Sequence, residues 1–398
     1  MTDSIVVYES TCEGGEHAAF NAGLLAGVLE IVPRAVFFAE SRHIEAVREV
    51  LEPAEADRVD WRRIKIPPRR ANSVSERLPQ EWRIVTEVWA AAESENASAI
   101  INTSVSLAGL IAVKLRDSLH RNPRPVGLVF HSVLDRFMTE RRLHRTLTWG
   151  NPPNLRYLIL GESLLAEVRS VVPALRATTR AISLPQCFNT APAASSRLNP
   201  SAMSFGFLGI ANEYKGFLEF LALADEFASE RVRFEVIGRV SSECQTRFEE
   251  FQRRTASAKL VISADGGRVP IESYRSRLAS LSYTIFPYRA IDYRFVRSGA
   301  ALDAIWAAKP MIAFRIPALE ELFDRMGDVG YLCDNIEKLR ATVADIIAHP
   351  PIERYAEQSA NLFRGRDLFA GPAVGRELVD ALGLRLTDRA RPMVEQSK

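Results

Sequence analysis

The chain has 398 residues, two to three times the ~100–200 of a usual domain, so two domains of similar weight are expected. An apolar fraction of 47% and a charged fraction of 25% exclude a disordered chain, and a net charge of +2 gives no reason to expect nucleic acid as a partner. Seven of the 51 basic residues are lysine and 44 are arginine, so any local basic pocket is expected to be mostly arginine.

Short β-branched runs alternate with longer amphipathic stretches, the pattern of helices packed on a parallel sheet. In the first half, strands are expected at 5–8, 35–39, 63–66, 98–102, 126–131, 156–160 and 179–184, with helices at 16–31, 81–92, 107–118 and 163–171. Residues 186–202 are rich in Asn, Thr, Ala, Pro and Ser, cannot supply a core, and read as a linker. The alternation then restarts, with strands at 203–208, 233–237, 260–263, 284–286, 311–314 and 330–332, and helices at 216–228, 242–254, 271–278, 299–308, 318–325 and 336–348. Two further helices, 353–363 and 373–382, precede a charged end. The expected division is therefore 1–185, a linker at 186–202, 203–350, and helices within 351–398. Two doubly wound sheets of this kind bind ligands at the carboxyl ends of their strands, here across a shared cleft.

The four cysteines, Cys12, Cys187, Cys244 and Cys333, show no CxxC and no histidine at metal-ligand spacing, which points to reduced thiols and against a zinc site. Residues 1–10 lack the basic start and long apolar core of a signal peptide, and no run approaches the ~18 apolar residues of a membrane span. A cytoplasmic protein is expected, dissolved or at most peripherally attached to a membrane.

Three loops carry candidate chemistry. After the strand at 203–208, Gly209 and Lys215-Gly216 precede a helix. A lysine there adds its ammonium to free backbone N–H groups and suits a phosphate or diphosphate, although a solvated lysine before a turn glycine fits the same residues. Gly238-Arg239 follow the next strand. After the strand at 284–286, Pro287 leads an Arg- and Tyr-rich loop to Ser298-Gly299, which open a helix. Ser298 with the N–H groups of Gly299 and Ala300 suits a phosphate, with Arg289, Arg294 or Arg297 neutralising it or forming a surface ion-pair cluster.

This second half resembles the donor-binding domain of GT-B glycosyltransferases, family 4 in particular. The matching features are the glycine-ended strand, Lys215-Gly216, Gly238-Arg239, the Gly-Arg-Val-Pro run at 267–270, and the block from Pro287 to Pro310. The resemblance implies an α/β GT-B fold with two Rossmann-like domains facing a central cleft, and tail helices that pack back toward the first domain. It implies diphosphate contacts from Lys215, Ser298 and Gly299, and a backbone contact to the nucleobase from Val269. In the first half, Ser10 to His17 resembles the glycine-rich loop of the same enzymes, with Gly14 and Gly15 near the donor phosphates and Glu16 and His17 beside the reacting groups. His131, delivered by an apolar strand and followed by Ser132, corresponds to a histidine that contacts the donor sugar, though a histidine at a strand end is more often structural.

Two departures stand out: the Arg that often precedes the Lys-Gly pair is missing, its neighbourhood here being Ile210 to Asn212, and the glutamate pair is incomplete. Of the two glutamates eight positions apart in retaining members, Asp303 stands at the second position and Phe295 at the first. Asp303 is a candidate for ribose hydroxyls or simply part of a solvated helix face. No Asp-x-Asp triplet is present, so no metal is expected. The implied activity is transfer of a hexose from a nucleotide-diphosphate sugar, a co-substrate rather than a cofactor, to a hydroxyl of a glycan or lipid-linked acceptor, in polysaccharide or glycoconjugate synthesis. Retention comes from the resemblance alone, and an inverting enzyme would need a base from among Glu13, Glu16, His17, His131 and Asp135. A nucleotide-sugar epimerase and a non-catalytic nucleotide-sugar binder are the competing readings.

Overall fold

The computed structural model describes residues 4–67, 73–119, 123–131, 133–188, 191–192, 197–229, 231–254 and 269–384. They form two compact units, the first drawn from Met1–Asn189, Phe295–Arg297 and Asp367–Lys398, the second from Thr190–Arg294 and Ser298–Arg366.

The first unit follows β1 (Ser4–Tyr8), α1 (Ala18–Ile31), β2 (Arg34–Ala39), α2 (Ser41–Arg48), α3 (Pro53–Ala56), β3 (Val59–Arg63), α4 (Val74–Ser94), β4 (Ile100–Asn102), α5 (Leu107–Leu119), β5 (Val126–Phe130), α6 (Val133–Thr139), α7 (Arg141–Thr148), β6 (Leu155–Leu160), α8 (Glu162–Val171) and β7 (Thr179–Ile182). The strands form a parallel sheet in the order β3-β2-β1-β4-β5-β6-β7. A strand buried on both faces reads as an unbroken apolar run, and β1 is one. Its Val6 and Tyr8 enter one core layer, while Ile5 and Val7 enter the other with α1. The expected strand at 63–66 is displaced: β3 is an edge strand, Val-Asp-Trp-Arg-Arg, whose mostly half-buried, polar residues give a weaker signal than the apolar residues just beyond it. Helix α4 starts seven residues earlier than expected, because Ser73 and Glu76 form a reciprocal capping box and Pro79 is tolerated inside the helix.

The second unit contains β8 (Met203–Leu208), α9 (Phe217–Phe227), β9 (Val232–Ile237), α10 (Gln245–Arg254), α11 (Ile271–Ser280), β10 (Tyr283–Phe286), α12 (Gly299–Trp306), β11 (Met311–Phe314), α13 (Pro317–Met326), β12 (Gly330–Cys333), α14 (Ile336–Ala348) and α15 (Ile352–Gly365). Its described strands are parallel, ordered β12-β11-β10-β8-β9. The strand expected at 260–263 lies outside the described residues. Of the tail helices, α15 packs on α12 and α13 of the second unit, and α16 (Gly371–Leu382) packs on α1 of the first. The ends of the expected linker are structured: Gln186 N–H donates to Phe369 O at 3.0 Å, Cys187 joins the first unit's core, and Leu198 joins the second's. No helix among the described residues is long and apolar enough to cross a membrane.

Candidate functional site

In a doubly wound sheet the loops after the two strands at which the order reverses diverge and leave a crevice. In the first unit these strands are β1 and β4. The residue that leaves β1 is Glu9, fully buried. Its Oε1 accepts the Thr11 N–H at 2.7 Å, the Thr11 hydroxyl at 2.9 Å and the Cys12 N–H at 3.1 Å, and its Oε2 accepts the Thr103 hydroxyl at 2.9 Å and the Asn21 amide at 3.5 Å. Burial alone would raise this carboxyl. The Thr11 N–H bond, the charge of a protonated His17 and the Thr11 hydroxyl together outweigh it and hold Glu9 below the ordinary carboxylate value.

The glycine-rich loop is held from beneath. Asn21 Nδ2 donates to His43 Nε2 at 2.7 Å, and His43, itself fully buried, donates from Nδ1 to Gly14 O at 2.6 Å. Gly14 takes a left-handed φ of +53° there. Gly15 is half-buried, and Glu16 and His17 are exposed. His17 caps the start of α1 in a left-handed conformation, with Nδ1 3.5 Å from both Cys12 Sγ and Ser104 Oγ. Glu9, Cys12 and His17 place their ligand atoms within 4.8 Å of one another. Burial and then the Glu9 charge keep the Cys12 thiol protonated, and five donors already occupy the Glu9 oxygens, so the trio reads as a hydrogen-bond network rather than a metal centre.

His131 follows β5 and joins this cluster. Its ring lies 4.5 Å from the His17 ring and edge-on to Phe20 at 4.5 Å. Nε2 is 2.9 Å from Thr103 O. A carbonyl only accepts, so Nε2 carries the proton and a neutral ring leaves Nδ1 as an acceptor. Burial first and His17 second push His131 well below the ordinary imidazole value, against the opposing pull of Glu9, so the neutral form persists.

In the second unit the order reverses between β8 and β10. After β8, Asn212 Oδ1 accepts the Lys215 N–H at 3.1 Å, fixing the short turn that presents Lys215. Gly216 then opens α9 with φ +70°, and a Cβ there would stand 1.9 Å from Pro287 O, so this glycine lets the loop after β8 lie against the one after β10. Gly238 works likewise: its φ is +155° and a Cβ would stand 1.9 Å from Gly209 O. A Cβ on Gly209 would lie 3.3 Å from Lys215 Nζ, which places the ammonium over that glycine. Burial lowers Lys215 to about 8, opposed by the Asp303 charge. Asp303 is half-buried and also accepts the Tyr274 hydroxyl at 2.7 Å, so it is not simply part of a solvated helix face. Ser298 caps α12, its Oγ accepting the Ala301 N–H at 3.1 Å, and a Cβ on the next residue, Gly299, would meet nothing within 4 Å.

The remaining candidates are dispersed. Arg239 is exposed after β9, and Val269 is half-buried just before α11, while 267–268 lie outside the described residues, as does Ser132. Arg297 belongs to the first unit, where its guanidinium donates to Leu160 O and, at 2.9 Å, to Ser163 Oγ. Phe295, at the position of the first family glutamate, is 3% exposed in the first unit's core. Sequence reasoning missed Glu9, Asn21, His43 and Tyr274. Glu9 alone left a signal, an acid at the end of an unbroken apolar strand.

No family model and no curated protein sequence matches the chain. Solved structures do. HepE from Anabaena, in complex with UDP and glucose, is 13% identical with a TM-score of 0.65, covering 95% of this chain and 99% of its own. Sucrose-phosphate synthase from Thermosynechococcus elongatus is 13% identical with a TM-score of 0.67, covering 95% and 97%. The trehalose-6-phosphate synthase OtsA is 11% identical with a TM-score of 0.64, covering 96% and 99%. These are GT-B structures, and the chain has the GT-B fold.

Proposed function

We propose that this protein is a glycosyltransferase that moves a hexose from a nucleoside-diphosphate sugar to a hydroxyl of a glycan or lipid-linked acceptor, with retention, in cytoplasmic polysaccharide or glycoconjugate synthesis. The observation that carries the proposal is the Lys215 ammonium, placed over Gly209 after β8 and within the influence of the Asp303 charge, with the Ser298-capped start of α12 following the neighbouring strand β10. A nucleoside diphosphate leaves with growing negative charge. Lys215 and the N–H groups of Gly299 and Ala300 would stabilise that charge by fixed electrostatics, with no metal required. HepE is known in complex with UDP and with UDP-glucose, which supports the donor class.

In the first unit, the neutral His131 would accept a hydrogen bond from a sugar hydroxyl at Nδ1, because Nε2–H is committed to Thr103 O. Glu16 and His17, both exposed, are assigned to the acceptor side, and Gly14 and Gly15 to close backbone approach. Gly238, Arg239 and Val269 would line the nucleoside. Arg297 is best assigned to positioning, since its guanidinium is engaged by Leu160 and Ser163.

Retention is proposed from the family resemblance, and Phe295 in place of a glutamate leaves Asp303 as the carboxylate of that block. The test is to incubate the protein with UDP-, GDP-, ADP- and dTDP-sugars and hydroxyl acceptors, following nucleoside diphosphate release and the anomeric configuration of the product. Release that depends on Lys215 and on an acceptor supports transfer. Binding without release points to a nucleotide-sugar binder, and epimerised sugar without acceptor points to an epimerase.

A further inference from the structure

Ser298 Oγ accepts the Ala301 N–H at the start of α12. A serine hydroxyl has two acceptor positions and one proton, so one acceptor position and the proton remain to be assigned. Tyr288 Oη lies 2.8 Å from the same oxygen, and by distance either hydroxyl can donate. The surroundings of Tyr288 decide the direction. Tyr288 is 1% exposed and stacked flat on Tyr293, with ring centroids 4.1 Å apart and planes 13° apart. The Tyr288 and Tyr293 hydroxyls are also hydrogen-bonded, a bond that raises Tyr293 and lowers Tyr288, so Tyr293 donates and Tyr288 accepts; the Tyr288 proton is then left for Ser298, whereas the half-buried Ser298 hydroxyl can donate outward. Burial also raises Tyr288 well above the ordinary phenol value, so the proton is present at every working pH. With Tyr288 donating, both acceptor positions of Ser298 are filled from within the fold, and its proton points away, toward the open space in front of Gly299.

We infer that Tyr288 is a positioning residue that fixes the Ser298 hydroxyl as a donor to a bound phosphate, so that serine and helix N–H groups present donors only. The inference rests on the diphosphate reading of the Ser298 turn. It makes this subsite selective for groups that only accept hydrogen bonds, such as phosphate oxygens.

The test is a double-mutant cycle by calorimetry on the full chain, with Tyr288→Phe, Ser298→Ala and the double variant. The ligands are whichever of UDP, GDP, ADP and dTDP binds the wild type, and the corresponding nucleoside without phosphates. Tyr288→Phe keeps the ring stack and should weaken the diphosphate about three- to tenfold while leaving the nucleoside unchanged. Ser298→Ala should weaken it by a similar or larger factor, and the double variant should be no weaker than Ser298→Ala. Unchanged diphosphate affinity in Tyr288→Phe, additive losses in the double variant, or an equal loss of the nucleoside would overturn the inference while leaving the function reading intact. A wild type that binds none of the four diphosphates overturns the function reading, and this inference with it.

Discussion

Replacing Glu9 by glutamine removes one buried negative charge and keeps the side chain's shape. The amide must put an NH2 group where one carboxylate oxygen now accepts. The less costly orientation keeps an oxygen toward the Thr11 N–H and hydroxyl and the Cys12 N–H, at 2.7, 2.9 and 3.1 Å, and turns the NH2 toward Thr103 and Asn21. Thr103 can rotate its proton toward Tyr8 O, 3.4 Å away, but the Asn21 amide then faces another donor. Three hydrogen bonds lose their ionic acceptor and one buried donor loses its partner, a cost of about 2–4 kcal/mol. For a unit of this size that lowers the melting temperature on the order of 10 °C. The pH dependence changes too. A carboxyl whose folded value is depressed below its ordinary 4.5 contributes stability that is present above 4.5 and is lost as pH falls through the folded value. Thermal unfolding followed by calorimetry from pH 3 to pH 8 measures both effects. The Glu9→Gln protein should melt lower near neutrality and converge on the wild type in acid. A loss below ~0.5 kcal/mol at pH 7, with parallel pH curves, would show that Glu9 does not hold the loop.

If His131 contacts the sugar as proposed, His131→Ala should reduce donor turnover roughly 10- to 100-fold while changing nucleoside diphosphate affinity less than about twofold. A lower melting temperature with normal specific activity would make it a structural histidine. Since His131 stays neutral, an acid limb in the pH profile near ~6.5 should not come from it, and the limb should persist in His131→Gln. Gly216→Ala should destabilise the second unit by about 2 kcal/mol or more in urea unfolding, because φ is +70° and the new methyl would collide with Pro287 O. A neutral result would mean that the two loops can separate without cost.

The architecture was legible where burial is two-sided. Runs such as Val126–Phe130 and Met203–Leu208 are continuous apolar strands, and their periodic helices follow. Legibility failed at the edge strand β3, whose Asp60, Arg62 and Arg63 hide the pleat, and in α2, α3, α6 and α7, which are short and polar. At the candidate site, Lys215, Ser298 and His131 could be read because each ends a strand or begins a helix. The Glu9, Asn21 and His43 network could not, since its bonds join residues far apart in the chain and each residue alone looks ordinary. The bonds of Arg297 to Leu160 and Ser163 were likewise not legible, because they join residues far apart in the chain.

The proposed function depends on the Lys215 ammonium holding a nucleoside diphosphate. Calorimetric titration of UDP, GDP, ADP and dTDP into the wild type and Lys215→Ala measures that contact. At least one should bind the wild type, and Lys215→Ala should lose about 1.5–3 kcal/mol of its affinity, roughly 10- to 150-fold, with its melting temperature nearly unchanged. Equal affinity in the two proteins would place the diphosphate away from Lys215.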